Sequence, residues 1–193
     1  MKLAVSNLAW PASRDAAVAD LFRAEGVEGV ELAPSRVWPG APRVGADAAG
    51  AYGAWWRAAG CDVVAFQAIL FGHPELNVFG TEADVAALQE HLVAVGRLAA
   101  HCGARVLVLG APGNRKRGKR TMAAAIAAAA EALRPVAEGI APHGVHLCIE
   151  PNPARYGCDF VTTAAEAAAL ADAVNHPNFG VHLDTAALAL SGE

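Results

Sequence analysis

Short apolar runs alternate along the chain with longer segments in which apolar residues recur at helical spacing. The runs predicted to be strands cover residues 3–9, 27–33, 61–67, 104–109, 144–150 and 179–184. The predicted helices cover residues 13–25, 46–59, 81–101 and 121–141, and a further helix begins at Thr163. Because near-continuous apolar strands alternate with helices, the pattern predicts an α/β fold with one parallel sheet and helices outside it. We expect one domain over residues 1–193.

Two of the predicted strands end in a carboxylate, Glu150 in one and Asp184 in the next. A β/α barrel carries its reactive groups at the carboxyl ends of its parallel strands, so these acids are expected to share one rim and to hold a divalent cation. A strand-final acid also serves as an ordinary helix cap, and this alternative stays open for each residue. The capping-box sequence from Thr163 to Glu166 supplies the next helix with its own cap, which leaves Glu150 free for chemistry.

Two loops at the same rim contain further candidates. Loop 68–80 is long and apolar for a surface connection, which predicts a lid or a substrate wall, and it contains His73. The run 114–120 holds five of the fifteen basic residues and is expected either to be a solvated loop or to bind a phosphate or a sugar acid. His182 lies one layer beneath the rim if Asp184 faces the barrel axis, either as a core histidine or as a partner of the site.

Composition narrows the classes of function. Of the 193 residues, 54% are hydrophobic and 18% are charged, which indicates a globular domain. The formal net charge of −4 argues against general nucleic-acid binding. The apolar runs are interrupted before they reach the length of a membrane span. The first residues lack the apolar region of a signal peptide and the four cysteines include no CxxC pair, so we expect a cytoplasmic protein with reduced thiols.

Several short motifs resemble those of one protein family. They lie at residues 6–10, 29–34, 67–72, 110–115, 149–153, 156–160 and 182–185. The most specific are Ile149-Glu-Pro-Asn-Pro153 with Tyr156-Gly-Cys-Asp-Phe160, and His182-Leu-Asp-Thr185. In these motifs the chain resembles the xylose-isomerase-like TIM barrels, which include sugar phosphate isomerases and epimerases, ketose 3-epimerases and metal-dependent apurinic-site endonucleases.

The resemblance implies a TIM-barrel type of fold that is incomplete, with about six βα units. It also implies that Glu150 and Asp184 bind a divalent metal. The family's other two ligands, a His and a Glu, lie on a seventh and an eighth strand that have no counterpart in these residues, and Ala187 stands where ketose epimerases tend to have a histidine. The candidates for substrate binding are Gln67, His73, Asn114, Arg115, Asn152 and His182.

The expected function is that of a sugar or sugar-phosphate isomerase or epimerase. A divalent cation (Mn, Mg, Co or Zn) would polarise the substrate, and Glu150 would transfer a proton through an enediolate. The alternatives are a metal-dependent phosphodiesterase of the apurinic-site endonuclease type and a barrel without catalytic activity. Because a sheet of six strands leaves two unpaired edges, we also expect self-association and little activity of this chain on its own.

Overall fold

The computed structural model describes residues 2–193. Its strands form one sheet in the order β1-β2-β3-β4-β5-β6, and all neighbouring strands are parallel. The strands are β1 Ala4–Ser6, β2 Gly29–Leu32, β3 Asp62–Phe66, β4 Val106–Leu109, β5 His146–Ile149 and β6 Phe179–Val181. The predicted parallel sheet of six strands is therefore confirmed.

The α-helices connect the strands or follow the last one. They are α1 Asp15–Glu25, α2 Pro34–Val37, α3 Ala46–Ala58, α4 Glu82–Cys102, α5 Met122–Ile140, α6 Ala164–Val174 and α7 Thr185–Ser191. The short helix α2 was not predicted, because a proline at the end of an apolar run marks a strand end and a helix start equally well. No helix within residues 2–193 combines the length and the apolar character needed to cross a bilayer.

The two faces of the sheet have different surroundings. In β5, Leu147 and Ile149 are fully buried in the core, whereas Cys148 and the exposed His146 point to the opposite, inner face. This alternation follows from the period of two along a strand. Glu150 continues the series of His146 and Cys148, so the end of β5 directs a carboxylate toward the inner face.

Close packing of small residues brings α4 and α5 together over the outer face. A Cβ at Gly96 would lie 2.5 Å from Cγ2 of Ile140, so this approach of the two helices requires glycine. Helix α5 buries mainly small side chains, including Ala125, Ala129, Ala132 and Ala137. Small residues allow closer contact between helices, and this layer holds the sheet in place from outside.

Side-chain caps from threonines fix the starts of α4, α5 and α6. At α4 the Thr81 hydroxyl accepts from the Asp84 N–H while the Asp84 carboxylate accepts from the Thr81 N–H, which is a complete capping box. At α6 the Thr163 hydroxyl accepts from the Glu166 N–H, but the Glu166 carboxylate accepts from the N–H of Thr162 at 2.6 Å. The capping box predicted at Thr163 is therefore only half formed, although the cap itself is present.

The sheet has two free edges within the described residues. Strands β1 and β6 are the outer strands, and each pairs on one side only. On the inner face, Val64 of β3 keeps 38% of its surface exposed. Free N–H and C=O groups along an edge can pair with another chain, and an uncovered inner face adds apolar surface to such a contact.

We expect the 193-residue chain to self-associate through β1 and β6. Gly180 lies in β6, and a Cβ added there would be 3.6 Å from the Cys148 sulfur, an ordinary contact. Because a charge on an edge strand opposes strand pairing, Gly180→Lys should shift the chain toward monomer in light scattering. Gly40→Lys is the matched control, since an added Cβ there has no neighbour within 4 Å. A wild-type chain that is monomeric at all concentrations tested would contradict this prediction.

Candidate active site at the carboxyl end of the sheet

A cleft of about 470 Å³ opens at the carboxyl ends of β3, β4 and β5. Residues 68–74 of the long loop after β3 form one wall, and Val108, Gly110 and Glu150 contribute to the opposite side. Gln67 and Asn114 add polar groups to the lining. The predicted substrate wall is therefore part of a real cleft, in which Glu150 is the acidic group.

Glu150 follows β5 directly, and its side chain is about 20% exposed. Oε2 of the carboxylate accepts a hydrogen bond from Nδ2 of Asn152 at 2.8 Å. Oε1 lies 3.7 Å from Nε2 of His182, which makes an ion pair when the imidazole is protonated. Glu150 makes no helix cap, because Thr163 caps the next helix. The structure thus leaves Oε1 as the less constrained oxygen of a carboxylate that lines the cleft.

His182 and Asp184 follow β6 at the same rim. The His182 N–H donates to the Ile149 carbonyl at 2.9 Å, which extends the pairing of β6 with β5 by one residue. Asp184 caps α7, and its Oδ1 accepts from the Ala186 N–H at 2.8 Å. The cap alternative therefore applies to Asp184 and not to Glu150. The second oxygen of Asp184 takes no part in this cap.

The donor set for a divalent cation is incomplete in the described part of the chain. Carboxylates at neighbouring strand ends are suitable ligands for a hard cation. Among residues 2–193, however, no group of three or more His, Cys, Asp or Glu side chains is arranged to hold a metal ion. The described residues therefore do not supply a complete coordination sphere around Glu150 and Asp184.

Arg115 does not face the cleft, contrary to the sequence-based expectation that it binds substrate. The side chain is only 1% exposed, and all its donors are used on protein acceptors. These acceptors are the carbonyls of Gly110, Glu150, Phe160 and Val161 and the Oδ1 atom of Asn152. Since no N–H remains available, Arg115 cannot bind a phosphate or a carboxylate of a ligand.

Two further basic residues of run 114–120, Arg117 and Arg120, also make contacts within the chain. The Arg117 and Gly118 N–H groups donate to the Asp159 carboxylate at 2.9 and 3.1 Å. The Arg120 guanidinium lies 5.2 Å from the centre of the Phe79 ring, within range of a cation–π interaction. The cleft lining contains no Lys or Arg from the described residues. This arrangement disfavours an anion site, and the solvated-loop alternative applies to the exposed Lys116, Lys119 and Arg120 but not to the buried Arg115.

The remaining predicted binding residues fall into two groups. Gln67 and His73 line the cleft; the Gln67 amide donates to the Ser6 hydroxyl, and His73 Nδ1 lies 3.0 Å from a carboxylate oxygen of Glu75. Asn114 also lines the cleft, but both hydrogens of its amide go to the wall loop, to the carbonyls of His73 and Leu76 at 2.7 Å. Asn152 is buried between Arg115 and Glu150, so it contacts the acid rather than the cleft.

Glu31 is a polar residue of this region that the sequence analysis did not single out. It lies in β2 between the fully buried Val30 and Leu32, so the alternation of the strand directs it to the inner face. Burial raises the pKa of Glu31, His182 opposes this rise, and the Glu150 carboxylate adds to it. A single acid within an apolar strand is the signal that could have identified it.

Comparison with solved structures places this geometry in a known fold. D-psicose 3-epimerase from Clostridium cellulolyticum H10, solved with D-tagatose, has a TM-score of 0.78 at 16% identity, over 100% of this chain and 66% of that chain. An AP endonuclease of family 2 from Brucella melitensis has a TM-score of 0.70 at 20% identity, over 97% and 70%. The IolI protein, solved with a bound zinc atom, has a TM-score of 0.70 at 16% identity, over 94% and 62%.

These likenesses establish the fold. The chain spans about two thirds of the length of the solved structures that it matches. No curated protein matches the sequence. The sequence profile of the family described as xylose isomerase-like TIM barrel matches residues 19–193, which is most of the chain. The resemblance seen in the motifs is thereby confirmed: the chain belongs to the xylose isomerase-like TIM barrel family.

Proposed function

We propose that the chain forms the larger part of a sugar isomerase or epimerase that transfers a proton at the carbon next to the sugar carbonyl. The observation that carries this proposal is the Glu150 carboxylate, which lines a cleft of about 470 Å³ and has one oxygen without a hydrogen bond from residues 2–193. A carboxylate in such a position can act as a general base. The likeness to sugar epimerases supports the same class of substrate.

In the proposed reaction, Oε1 of Glu150 removes the proton from the carbon next to the carbonyl. The electron pair of the C–H bond moves into a C=C bond, and the carbonyl oxygen becomes the oxygen of an enediolate. For an isomerisation, the same carboxyl then returns the proton to the former carbonyl carbon, while the hydroxyl proton of the enediolate moves to the former carbonyl oxygen and the neighbouring carbon becomes the new carbonyl. An epimerisation requires protonation on the opposite face of the substrate, so it needs a second acid in addition to Glu150.

We propose Glu150 and Asp184 as the ligands that this chain supplies to a divalent cation. Both are carboxylates at neighbouring strand ends, and the structure of the IolI protein contains a zinc atom. A cation held there would polarise the carbonyl and hydroxyl oxygens of the sugar. Because the described residues supply no third ligand side chain, we expect weak binding in this chain.

The proposed substrate is a neutral sugar rather than a sugar phosphate. The described lining of the cleft combines the polar groups of Gln67, His73 and Asn114 with an apolar wall at residues 69–71 and contains no Lys or Arg. Apolar walls with a few placed polar groups are typical of sites for small molecules. Recognition of a phosphate normally uses Arg, Lys or a helix N-terminus, and Arg115 is fully engaged elsewhere.

A phosphodiesterase that acts on damaged DNA is the less favoured alternative, although one structural neighbour is an AP endonuclease. Binding to a DNA backbone depends on phosphate contacts from Lys and Arg. The chain has a formal net charge of −4, and Arg115 and Arg117 of the basic run are bound to acceptors within the fold. The described surface therefore provides little electrostatic attraction for nucleic acid.

Replacing the proposed base should sharply lower the turnover that the chain retains on its own. We expect Glu150→Gln to lower the rate of D-psicose or D-tagatose conversion by at least about 100-fold, because the amide cannot accept the proton. The rate would be measured by chromatography of the sugar products. Glu138→Gln, which removes an exposed acid of α5, is the control and should leave the rate unchanged. Equal rates for wild type and Glu150→Gln would rule out Glu150 as the base.

The cap and the metal-binding role of Asp184 can be separated by one substitution. Asn caps a helix about as well as Asp, so Asp184→Asn should leave the melting temperature in EDTA within about 1 °C of wild type. In saturating Mn²⁺ the wild type should melt about 3 °C higher or more, and Asp184→Asn and Glu150→Gln should lose this gain. A Mn²⁺ shift that is equal in all three proteins would show that the ion binds elsewhere.

A comparison of charged and neutral substrates tests the proposed specificity. We expect kcat/KM for D-fructose to exceed that for D-fructose 6-phosphate by about tenfold or more, since a desolvated phosphate without a cationic partner is unfavourable. The two substrates would be compared in one coupled assay with the same protein preparation. A clear preference for the phosphate would show that an anion site exists outside the described cleft lining.

A further inference from the structure

The guanidinium of Arg115 ties together the chain segments that surround Glu150. Nε donates to the Gly110 carbonyl at 2.6 Å, and Nη1 donates to the Phe160 and Val161 carbonyls at 2.6 and 3.3 Å. Nη2 donates to the Glu150 carbonyl at 2.7 Å and to Oδ1 of Asn152 at 2.9 Å. Arg115 thereby links the end of β4, the end of β5 and the segment before α6 through a single rigid group.

This contact determines the orientation of the Asn152 amide. The oxygen and nitrogen of an amide are normally assigned from their partners rather than seen directly. Because a guanidinium can only donate, the atom of Asn152 that faces Arg115 must be the oxygen. The nitrogen then faces Glu150, and Nδ2 lies 2.8 Å from Oε2 of the carboxylate.

Gly110 provides the space for the same oxygen. A Cβ at Gly110 would lie 2.7 Å from Oε2 of Glu150, so a side chain at this position would displace the carboxylate. Oε2 is therefore held between the Asn152 amide and the bare backbone at the end of β4. The other oxygen, Oε1, has His182 Nε2 at 3.7 Å and no hydrogen bond to the described residues.

We propose that Asn152, oriented by Arg115, is a positioning residue that holds Oε2 and leaves Oε1 as the only reactive oxygen of Glu150. The chemical role of Oε1 rests on the proposed function, whereas the orientation of the carboxylate does not. A buried arginine that uses every donor does not improve stability over an apolar residue in general, but it fixes the geometry of its acceptors. Two residues predicted to bind substrate thus act through Glu150 instead.

The first test observes the hydrogen bond directly, in ¹H–¹⁵N spectra of the side-chain amides. The Asn152 signals are assigned from their loss in Asn152→Asp. We expect them to exchange slowly with water and to shift in Glu150→Gln, because the acceptor changes from a carboxylate to an amide oxygen. Asn178 is the internal control, since its amide donates to the Val145 carbonyl near the other end of β5 and should not move. Asn152 signals that do not respond to Glu150→Gln would overturn the proposal.

The second test measures the consequence for the reaction. Asn152→Asp keeps an oxygen for Arg115 but presents an acceptor to Oε2, so the Glu150 carboxylate should turn away. Substitutions of residues that orient a reactive group typically cost ten- to a hundredfold. We expect kcat for D-psicose to fall by about tenfold or more with KM within about twofold, and Mn²⁺ affinity by calorimetry to fall by about tenfold.

Asn178→Asp makes the same chemical change away from the cleft and should leave kcat and Mn²⁺ affinity as in wild type. Urea unfolding of both variants shows whether a fall in kcat comes from a less stable fold or from a displaced Glu150 carboxylate. Wild-type values of kcat and Mn²⁺ affinity in Asn152→Asp would overturn the positioning role. If the wild type neither converts the sugar nor binds Mn²⁺, the proposed function fails, and the amide spectra still decide whether Asn152 holds Glu150.

Discussion

A buried guanidinium needs an acceptor for each of its five N–H groups, and this requirement shapes the rim of the cleft. Arg115 finds four backbone carbonyls and one side-chain oxygen, which come from the end of β4, the end of β5 and the segment that leads into α6. At the ends of β4 and β5 it supplies a donor to the Gly110 and Glu150 carbonyls, whereas the Phe160 and Val161 carbonyls also accept from the Cys158 thiol and the Asn152 N–H. The Arg115 side chain therefore holds in place the backbone that carries Glu150 at the end of β5.

The same constraint decides the electrostatic character of the cleft. The basic run contributes no cation to the described lining, because Arg115 is turned inward, the Arg117 guanidinium donates to the Asp159 and Arg120 carbonyls, and Arg120 lies over Phe79. The inner face keeps its acids, Glu150 at the rim and Glu31 in β2, with His182 as the nearby base. This charge distribution is the reason for proposing a cation and a neutral sugar, rather than an anionic ligand, at this site.

The parallel sheet explains why these groups meet at all. Successive strands run in one direction, so the residues that follow β3, β4, β5 and β6 emerge at one rim. Val64 is partly exposed on the inner face, and β1 and β6 each have a free edge. Both features match a chain that spans about two thirds of the length of its structural neighbours. The rim near β4 and β5 has neighbours on both sides, and it is there that the hydrogen-bond network is complete.

The amino-acid sequence by itself determined the elements and their order. The apolar runs predicted all six strands, and the helical spacing of apolar residues predicted α1 and α3 to α6, because these features depend on residues a few positions apart. The acid at the end of β5 and the Thr163 cap of α6 were found for the same reason. The motifs also identified the family, which the match over residues 19–193 confirmed.

The tertiary structure alone decided what the polar residues of the rim do. Arg115 and Asn152 were both predicted to bind substrate. In the structure Arg115 instead donates to residues that follow β5, which lie 35 to 46 positions away in the sequence. Glu31, Glu150 and His182 likewise come from β2 and from the ends of β5 and β6, and only the folded sheet brings them close enough to affect one another. Strand and helix periodicity is a local property of the backbone, whereas the burial and pairing of a charge depend on distant segments that only the folded sheet brings together.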